Sequence, residues 1–170
     1  MDDKEKTGIT VRLMTPEDLD EVAKLEQQTF SMPWSRQALS DALAREDSVY
    51  VVATVSDGKI QMQKTGGDTV ASGYESVIGY SGLYLILGEG YINQVAVASD
   101  HRGKGIGKKM LSFLLESAAS RGMTACSLEV RVSNEPALKL YHALGFKDAG
   151  VRPGFYEAPK EDAMILWYTV

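Results

Sequence analysis

The sequence predicts a mixed α/β domain, with about seven strands and about four helices in the order β-α-α-β-β-β-α-β-α-β-β. Three observations lead there. Short runs rich in β-branched residues recur along the chain, separated in places by stripes of apolar residues at helical spacing. Helical stripes stand between some neighbouring strands and tight turns between others, so the sheet is partly parallel and partly antiparallel. No internal repeat and no composition break divides the 170 residues, so residues 1–170 read as one domain.

The elements follow in order. Ile9 to Met14 alternates as a first strand, and Thr15-Pro16-Glu17-Asp18 reads as an N-cap, a proline at N1 and an acidic first turn. Leu19, Val22, Ala23, Leu25 and Glu26 share one face of the helix that follows. Phe30-Ser31-Met32-Pro33-Trp34 breaks it, and Ser35 caps a second helix through Leu43. Val49 to Val55 is dense enough in β-branched residues for a strand buried on both faces. Ser56 to Ser76, polar and rich in glycine, reads as a long connection within the domain, and Met1 to Thr7 as a flexible N-terminus. Val77–Leu87 and Tyr91–Ala98 form a hairpin about Gly88-Glu89-Gly90. A helix then carries Ile106, Met110, Phe113, Leu114 and Ala118 inward and ends near Gly122. Thr124–Val130 is the next strand. Ser133 or Asn134 opens a helix with Pro136 in its first turn, closed by Gly145, and Phe146–Val151 and Ala163–Tyr168 complete the sheet around a loop.

Bulk properties exclude several function classes. Hydrophobic residues at 44% and charged residues at 24% fit a globular domain, and no apolar run approaches the roughly 18 residues of a spanning helix. The charged N-terminus has no apolar h-region, which predicts a cytoplasmic protein. One cysteine and two histidines leave no basis for a metal site. A net charge of −5 disfavours nucleic acid as partner, and the expected state is a monomer.

The chemistry concentrates between Gln94 and Met110, where a strand runs through Asp100-His101 into Arg102-Gly103-Lys104-Gly105-Ile106-Gly107 and then a helix. Gly103, Gly105 and Gly107 let a ligand approach the backbone closely, and the helix start near Ile106 offers unpaired N–H groups and a positive dipole end. This arrangement suits a diphosphate. Two nucleotide motifs fail on spacing. A dinucleotide fingerprint needs Gly-x-Gly-x-x-Gly near the start of a βαβ unit, and a P-loop needs its glycines one residue further apart and a hydroxyl where Lys109 stands.

With these residues in view, the chain resembles the GCN5-related N-acetyltransferase (GNAT) superfamily, whose acetyl-CoA loop reads Arg/Gln-x-x-Gly-x-Gly/Ala. The likeness extends to the ribosomal-protein-alanine N-acetyltransferase (RimI-type) branch through Leu128-Glu129-Val130-Arg131-Val132-Ser133-Asn134, Ala137 to Phe146, Met32-Pro33-Trp34-Ser35, and Tyr156 with Glu161-Asp162-Ala163. It departs from that pattern at Phe155, where a tyrosine is often found, and in the length of Ser56 to Ser76. The resemblance implies a GNAT fold and acetyl-CoA as co-substrate, its diphosphate on the backbone of Arg102, Gly103, Lys104, Gly105, Ile106 and Gly107. It implies that the strand edge of Val95, Ala96 and Val97 meets the pantetheine arm. It also implies Glu129 as general base, through water, and Tyr141 as general acid to the sulfur. Asn134 is a cofactor contact on this view and a plain N-cap on the other. Trp34 and Tyr156 would line the acceptor side, although solvated hairpin residues explain Tyr156 equally well.

The resemblance also implies the acceptor: the basic N-terminal peptide of a small-subunit ribosomal protein, acetylated on alanine. Energetics are compatible with this. Freeing an α-amine of pKa about 7.7–8.0 at pH 7 costs roughly 1 kcal/mol, against about 4–5 for a lysine near 10.4, so one modest base suffices. A small-molecule amine or lysine acceptor, and a sensor that binds acetyl-CoA without turnover, stand as alternatives. Cys126, inside a strand pattern, reads as a buried hydrophobe, which favours direct transfer over an acyl-enzyme.

Overall fold

A computed structural model describes residues 8–65 and 68–170, with the backbone alone for 57–65 and 68–74. The expectation of a flexible 1–7 lies outside the described residues. Seven strands form one sheet, β1 (Ile9–Leu13), β2 (Ser48–Thr65), β3 (Asp68–Ile86), β4 (Glu89–Val97), β5 (Ala125–Arg131), β6 (Lys147–Glu157) and β7 (Lys160–Thr169), ordered β1-β2-β3-β4-β5-β7-β6. Every neighbouring pair is antiparallel except β4 and β5. The helices are α1 (Leu19–Thr29), α2 (Arg36–Leu43), α3 (Ile106–Ala119) and α4 (Glu135–Ala143). The architecture is the α/β fold the sequence predicts.

Two apolar layers sandwich the sheet. Alternation along β2 sends Val49, Val51 and Ala53 to one face, where they meet Ile106, Met110, Leu111 and Leu114 of α3. Tyr50 and Val52 point the other way, against Leu19, Val22 and Leu25 of α1 and Leu39 of α2. Burial of Val49 to Thr54 on both faces follows, as the run of β-branched residues predicts. Local caps hold the helices: the Ser35 hydroxyl accepts from Ala38 N–H at 3.1 Å, and Asn134 Oδ1 accepts from Ala137 N–H at 3.2 Å. After α3 and α4, Gly122 (φ +94) and Gly145 (φ +99) take the left-handed turn that ends a helix.

Two predicted connections are strands instead. Across Ser56 to Ser76, β2 and β3 keep pairing out to Thr65 opposite Asp68, with a register skip between Ser56 and Ile60; residues 66 and 67 lie outside the described residues. Antiparallel partners satisfy each other's N–H and C=O groups, so such a ribbon forms without the buried face that hydrophobic periodicity detects. The second correction is the loop from Arg152 to Pro159. Here β6 runs to Glu157 and β7 starts at Lys160, with an irregular register between Arg152 and Tyr156. An edge strand accommodates Pro153 and Gly154 at such a bulge. Gly154 sits at φ +61, and its N–H donates to Asp162 Oδ1 at 2.8 Å.

Candidate active site

The parallel pair at the centre of the sheet is short. β4 and β5 pair only from Glu89 opposite Ala125 to Tyr91 opposite Ser127, and then they part. The wedge they leave is a cleft of about 200 Å³. Its walls are β4 from Ile92 to Val95, β5 from Leu128 to Arg131, α4 with its cap Asn134 and with Tyr141 in its last turn, and Tyr156 from β6.

Glu129 is the best-held carboxylate in this cleft. Its side chain is 8% exposed, accepts from the Tyr91 hydroxyl at 2.6 Å, and lies 3.4 Å from the Arg152 guanidinium. Burial, reinforced by Glu129, raises the Tyr91 phenol above its usual range, so Tyr91 stays a proton donor to the carboxylate. The Tyr156 hydroxyl donates to the Glu129 backbone carbonyl at 3.2 Å, and the Arg131 guanidinium stacks 4.2 Å above the Tyr156 ring. Tyr141 is buried against Phe146, edge to face at 5.7 Å. Burial pushes its phenol far up, and the hydroxyl has no hydrogen-bond partner among the described residues. The hydroxyl therefore stays protonated beside the cleft.

The glycine loop joins β4 to α3. Gly103 (φ +74) and Gly105 (φ +77) take left-handed backbone, and a Cβ on either would meet no atom within 4 Å. Gly107 is held differently: a Cβ there would come 3.0 Å from Leu140, so glycine lets α3 lie close to α4. Ile106 sends its side chain into the core and leaves its backbone at the helix start, while Lys104 is exposed. Turn, bare backbone and helix start together fit a diphosphate held by N–H groups. Arg102 turns back and donates from Nε to the Val97 carbonyl at 2.9 Å.

The phase of β4 decides which edge groups face the wedge. Ala98 N–H donates to Ile78 O at 2.8 Å, so Ala96 exchanges its bonds with Tyr80 of β3, and Val95 and Val97 turn theirs toward the gap. The structure therefore brings Val95, Glu129, Asn134, Tyr141 and Tyr156 together in one cleft. It sets Ala96 in the β3–β4 ladder with its side chain in the core. Asn134 performs the N-cap role and also borders the cleft. Trp34 is elsewhere, lining a groove with Ala38, Asp41, Ala42, Arg45 and Tyr84.

Several residues escaped the sequence reading. Glu26, which the helical pattern assigns to an apolar face, is fully buried. One oxygen accepts from Trp34 N–H at 2.9 Å and Gln94 Nε2 at 3.1 Å, and the other accepts from the Tyr80 hydroxyl. Burial raises its pKa, partly offset by these donors. Tyr91, Arg152 and Arg131 were missed because only the strand register brings them to Glu129 and Tyr156. So was Asn93, at a bulge where Gly82 pairs with Gln94 and Leu83 with Ile92. Its Oδ1 accepts from the Tyr50 hydroxyl at 2.9 Å, and its buried Nδ2 has no partner among the described residues. An unpaired buried donor costs about 1–3 kcal/mol, which marks it for attention.

A sheet with splayed central strands, a glycine loop leading into a helix, and a buried carboxylate and a buried phenol in one cleft make up the framework of this site. Residues 19–146 match the acetyltransferase (GNAT) family, and the chain belongs to that family; it is an enzyme that transfers acetyl groups. Among its relatives, the N-alpha-acetyltransferase RimI of Mycobacterium tuberculosis is 32% identical over 93% of this chain and 90% of its own length. The ribosomal protein bS18-alanine N-acetyltransferase of Salmonella typhimurium is 26% identical over 92% of this chain and 95% of its own. Arabidopsis thaliana NAA60, solved in complex with acetyl-CoA, shares the fold at a TM-score of 0.77 and 18% identity, over 96% of this chain and 99% of that one. No helix among the described residues is long and apolar enough to cross a membrane.

Proposed function

We propose that this acetyltransferase acts on the N-terminal amine of a protein, namely the alanine of a small-subunit ribosomal protein, by direct transfer. The observation that carries the reading is that Glu129 and Tyr141, whose hydroxyl has no hydrogen-bond partner among the described residues, line one wedge. Acceptor identity is supported by relatives named for the alanine of ribosomal protein bS18.

Bound acetyl-CoA supplies a thioester as the acetyl donor. Backbone N–H groups from Arg102 to Gly107 hold its diphosphate, and the outward edge of Val95 with the Val97 N–H orients its arm toward Tyr141, the Val97 carbonyl being taken by Arg102. Glu129, pinned by Tyr91 and Arg152, takes the proton that the amine sheds as its C–N bond forms, directly or through one water. Tyr141 gives its proton to the sulfur as the C–S bond breaks. Arg131 and Ser31 brace the acceptor entrance: Arg131 donates to the carbonyls of Pro159 (2.9 Å) and Ala158 (3.1 Å), and the Ser31 hydroxyl to Ala158 O at 2.7 Å. A cytoplasmic setting is part of the proposal.

The test is thiol release from acetyl-CoA with alanine-led peptides, an Nα-blocked lysine peptide and polyamines. Transfer to the alanine-led peptides alone is expected; transfer only to the blocked lysine peptide or polyamines refutes the acceptor. Glu129→Gln and Tyr141→Phe should each lower kcat about 10²- to 10⁴-fold with acetyl-CoA binding intact, and wild-type rates in both would refute the roles.

A further inference from the structure

The bulge on β4 places two successive amide side chains, Asn93 and Gln94, on the α1/α2 face of the sheet, as their partners Tyr50 and Glu26 show. The two are used differently. Gln94 gives its Nε2–H to the buried Glu26 carboxylate, whereas Asn93 is oriented by Tyr50 and keeps its Nδ2–H unpaired. Tyr50 reaches Asn93 across β3 because Gly82 has no side chain there: a Cβ at Gly82 would sit 2.0 Å from the Tyr50 ring. Asn93 also borders the cleft that holds Glu129, Tyr141 and Tyr156.

The face on which this donor lies narrows its ligand. The glycine loop feeds α3, which packs on the opposite face with Val95 and Val97, so the donor half of the site is on that side. A donor on the α1/α2 face therefore belongs to the other half of the site, the acceptor half. Every N-terminal peptide carries a carbonyl oxygen at fixed spacing from its amine, through the first Cα and carbonyl carbon. A lysine side chain or polyamine has none at that spacing. Resting on the N-terminal acceptor proposed above, we infer that Asn93 donates from Nδ2 to the first peptide carbonyl oxygen of the acceptor and so selects peptidyl α-amines over other amines. The alternative ligand, the thioester oxygen, is an outcome of the test.

Two alanine-led peptides are compared, identical except that the first peptide carbonyl is a thiocarbonyl in one, a weaker hydrogen-bond acceptor. The full-length wild-type enzyme should favour the ordinary peptide in kcat/KM by about 10-fold or more. Asn93→Leu, and Asn93→Asp, which keeps an oxygen for Tyr50, should each lose about 10- to 100-fold on the ordinary peptide and treat the two alike within about twofold, with acetyl-CoA affinity unchanged. Equal wild-type rates on both peptides overturn the inference whether or not a variant folds. An equal loss on both peptides in Asn93→Leu overturns it too and points to the thioester or to packing. A wild-type enzyme that acetylates no N-terminal peptide fails the acceptor proposal itself and takes this inference with it. Transfer to peptides without carbonyl discrimination fails the inference alone.

Discussion

Truncating Glu26 removes the acceptor that three otherwise separate groups share among the described residues: Trp34 N–H in the α1–α2 turn, the Tyr80 hydroxyl on β3, and the Gln94 amide on β4. Each unpaired buried donor costs about 1–3 kcal/mol, so Glu26→Ala should destabilise by about 3–5 kcal/mol, partial relaxation trimming the sum. Glu26→Gln keeps one oxygen for Trp34 and Gln94 and lets the Tyr80 hydroxyl turn to accept, so about 1 kcal/mol is expected. Linkage adds a second signature. Burial raises the Glu26 pKa in the folded state, so the folded chain binds the extra proton. The stability this contributes is therefore full below the ordinary carboxylate pKa and is lost as pH rises through the raised value. Urea unfolding of wild type, Glu26→Ala and Glu26→Gln across mildly acidic to neutral pH reads both effects. A Glu26→Ala loss under about 1 kcal/mol, or a Glu26→Gln profile with the wild-type pH slope, would refute the reasoning.

Other outcomes follow from the same geometry. Gly105→Ala places a side chain at φ +77 with open space around it, so the penalty is conformational alone, about 1–2 kcal/mol, and calorimetry should show weaker acetyl-CoA binding. Gly82→Ala drives a methyl into the Tyr50 ring and should lower stability by about 1–3 kcal/mol in thermal unfolding. Cys126 is fully buried, and burial pushes its thiol up to about 12, so a thiol reagent at pH 8 should label it only after unfolding, and acetyl transfer should survive Cys126→Ala.

Legibility in the sequence followed the physics of each signal. Caps at Ser35 and Asn134, the doubly buried Val49 to Thr54, and the glycines at 103 and 105 are local signals of backbone geometry or burial, and each was legible. The Glu26 carboxylate was misread because helical spacing reports which face is buried, not whether a buried position is polar and paired. Nor does local sequence encode the bulge at Asn93, which arises when β4 pairs with β3 in a particular register. The β2–β3 ribbon and the bulged end of β6 were read as loops because composition registers glycine and proline but not the partner strand that satisfies their neighbours. Glu129 and Tyr141 were singled out through resemblance; the contacts from Tyr91, Arg152 and Tyr156 that hold Glu129 come from β4 and β6 and arise only in the folded sheet.

The parallel seam between β4 and β5 behaves like a zipper with a stop at Tyr91 and Ser127. The reaction chamber is the unzipped length of two strands, so its depth is set by where pairing halts and not by sculpting of individual side chains. One further rung would draw Ile92 and Leu128 together and close the chamber from its base. One fewer would release Tyr91 of β4 from Ser127 of β5 and loosen the contact between Tyr91 and Glu129. Substitutions at that single rung therefore act on the whole cleft, and those at Tyr91 act on Glu129 as well, to which its hydroxyl donates.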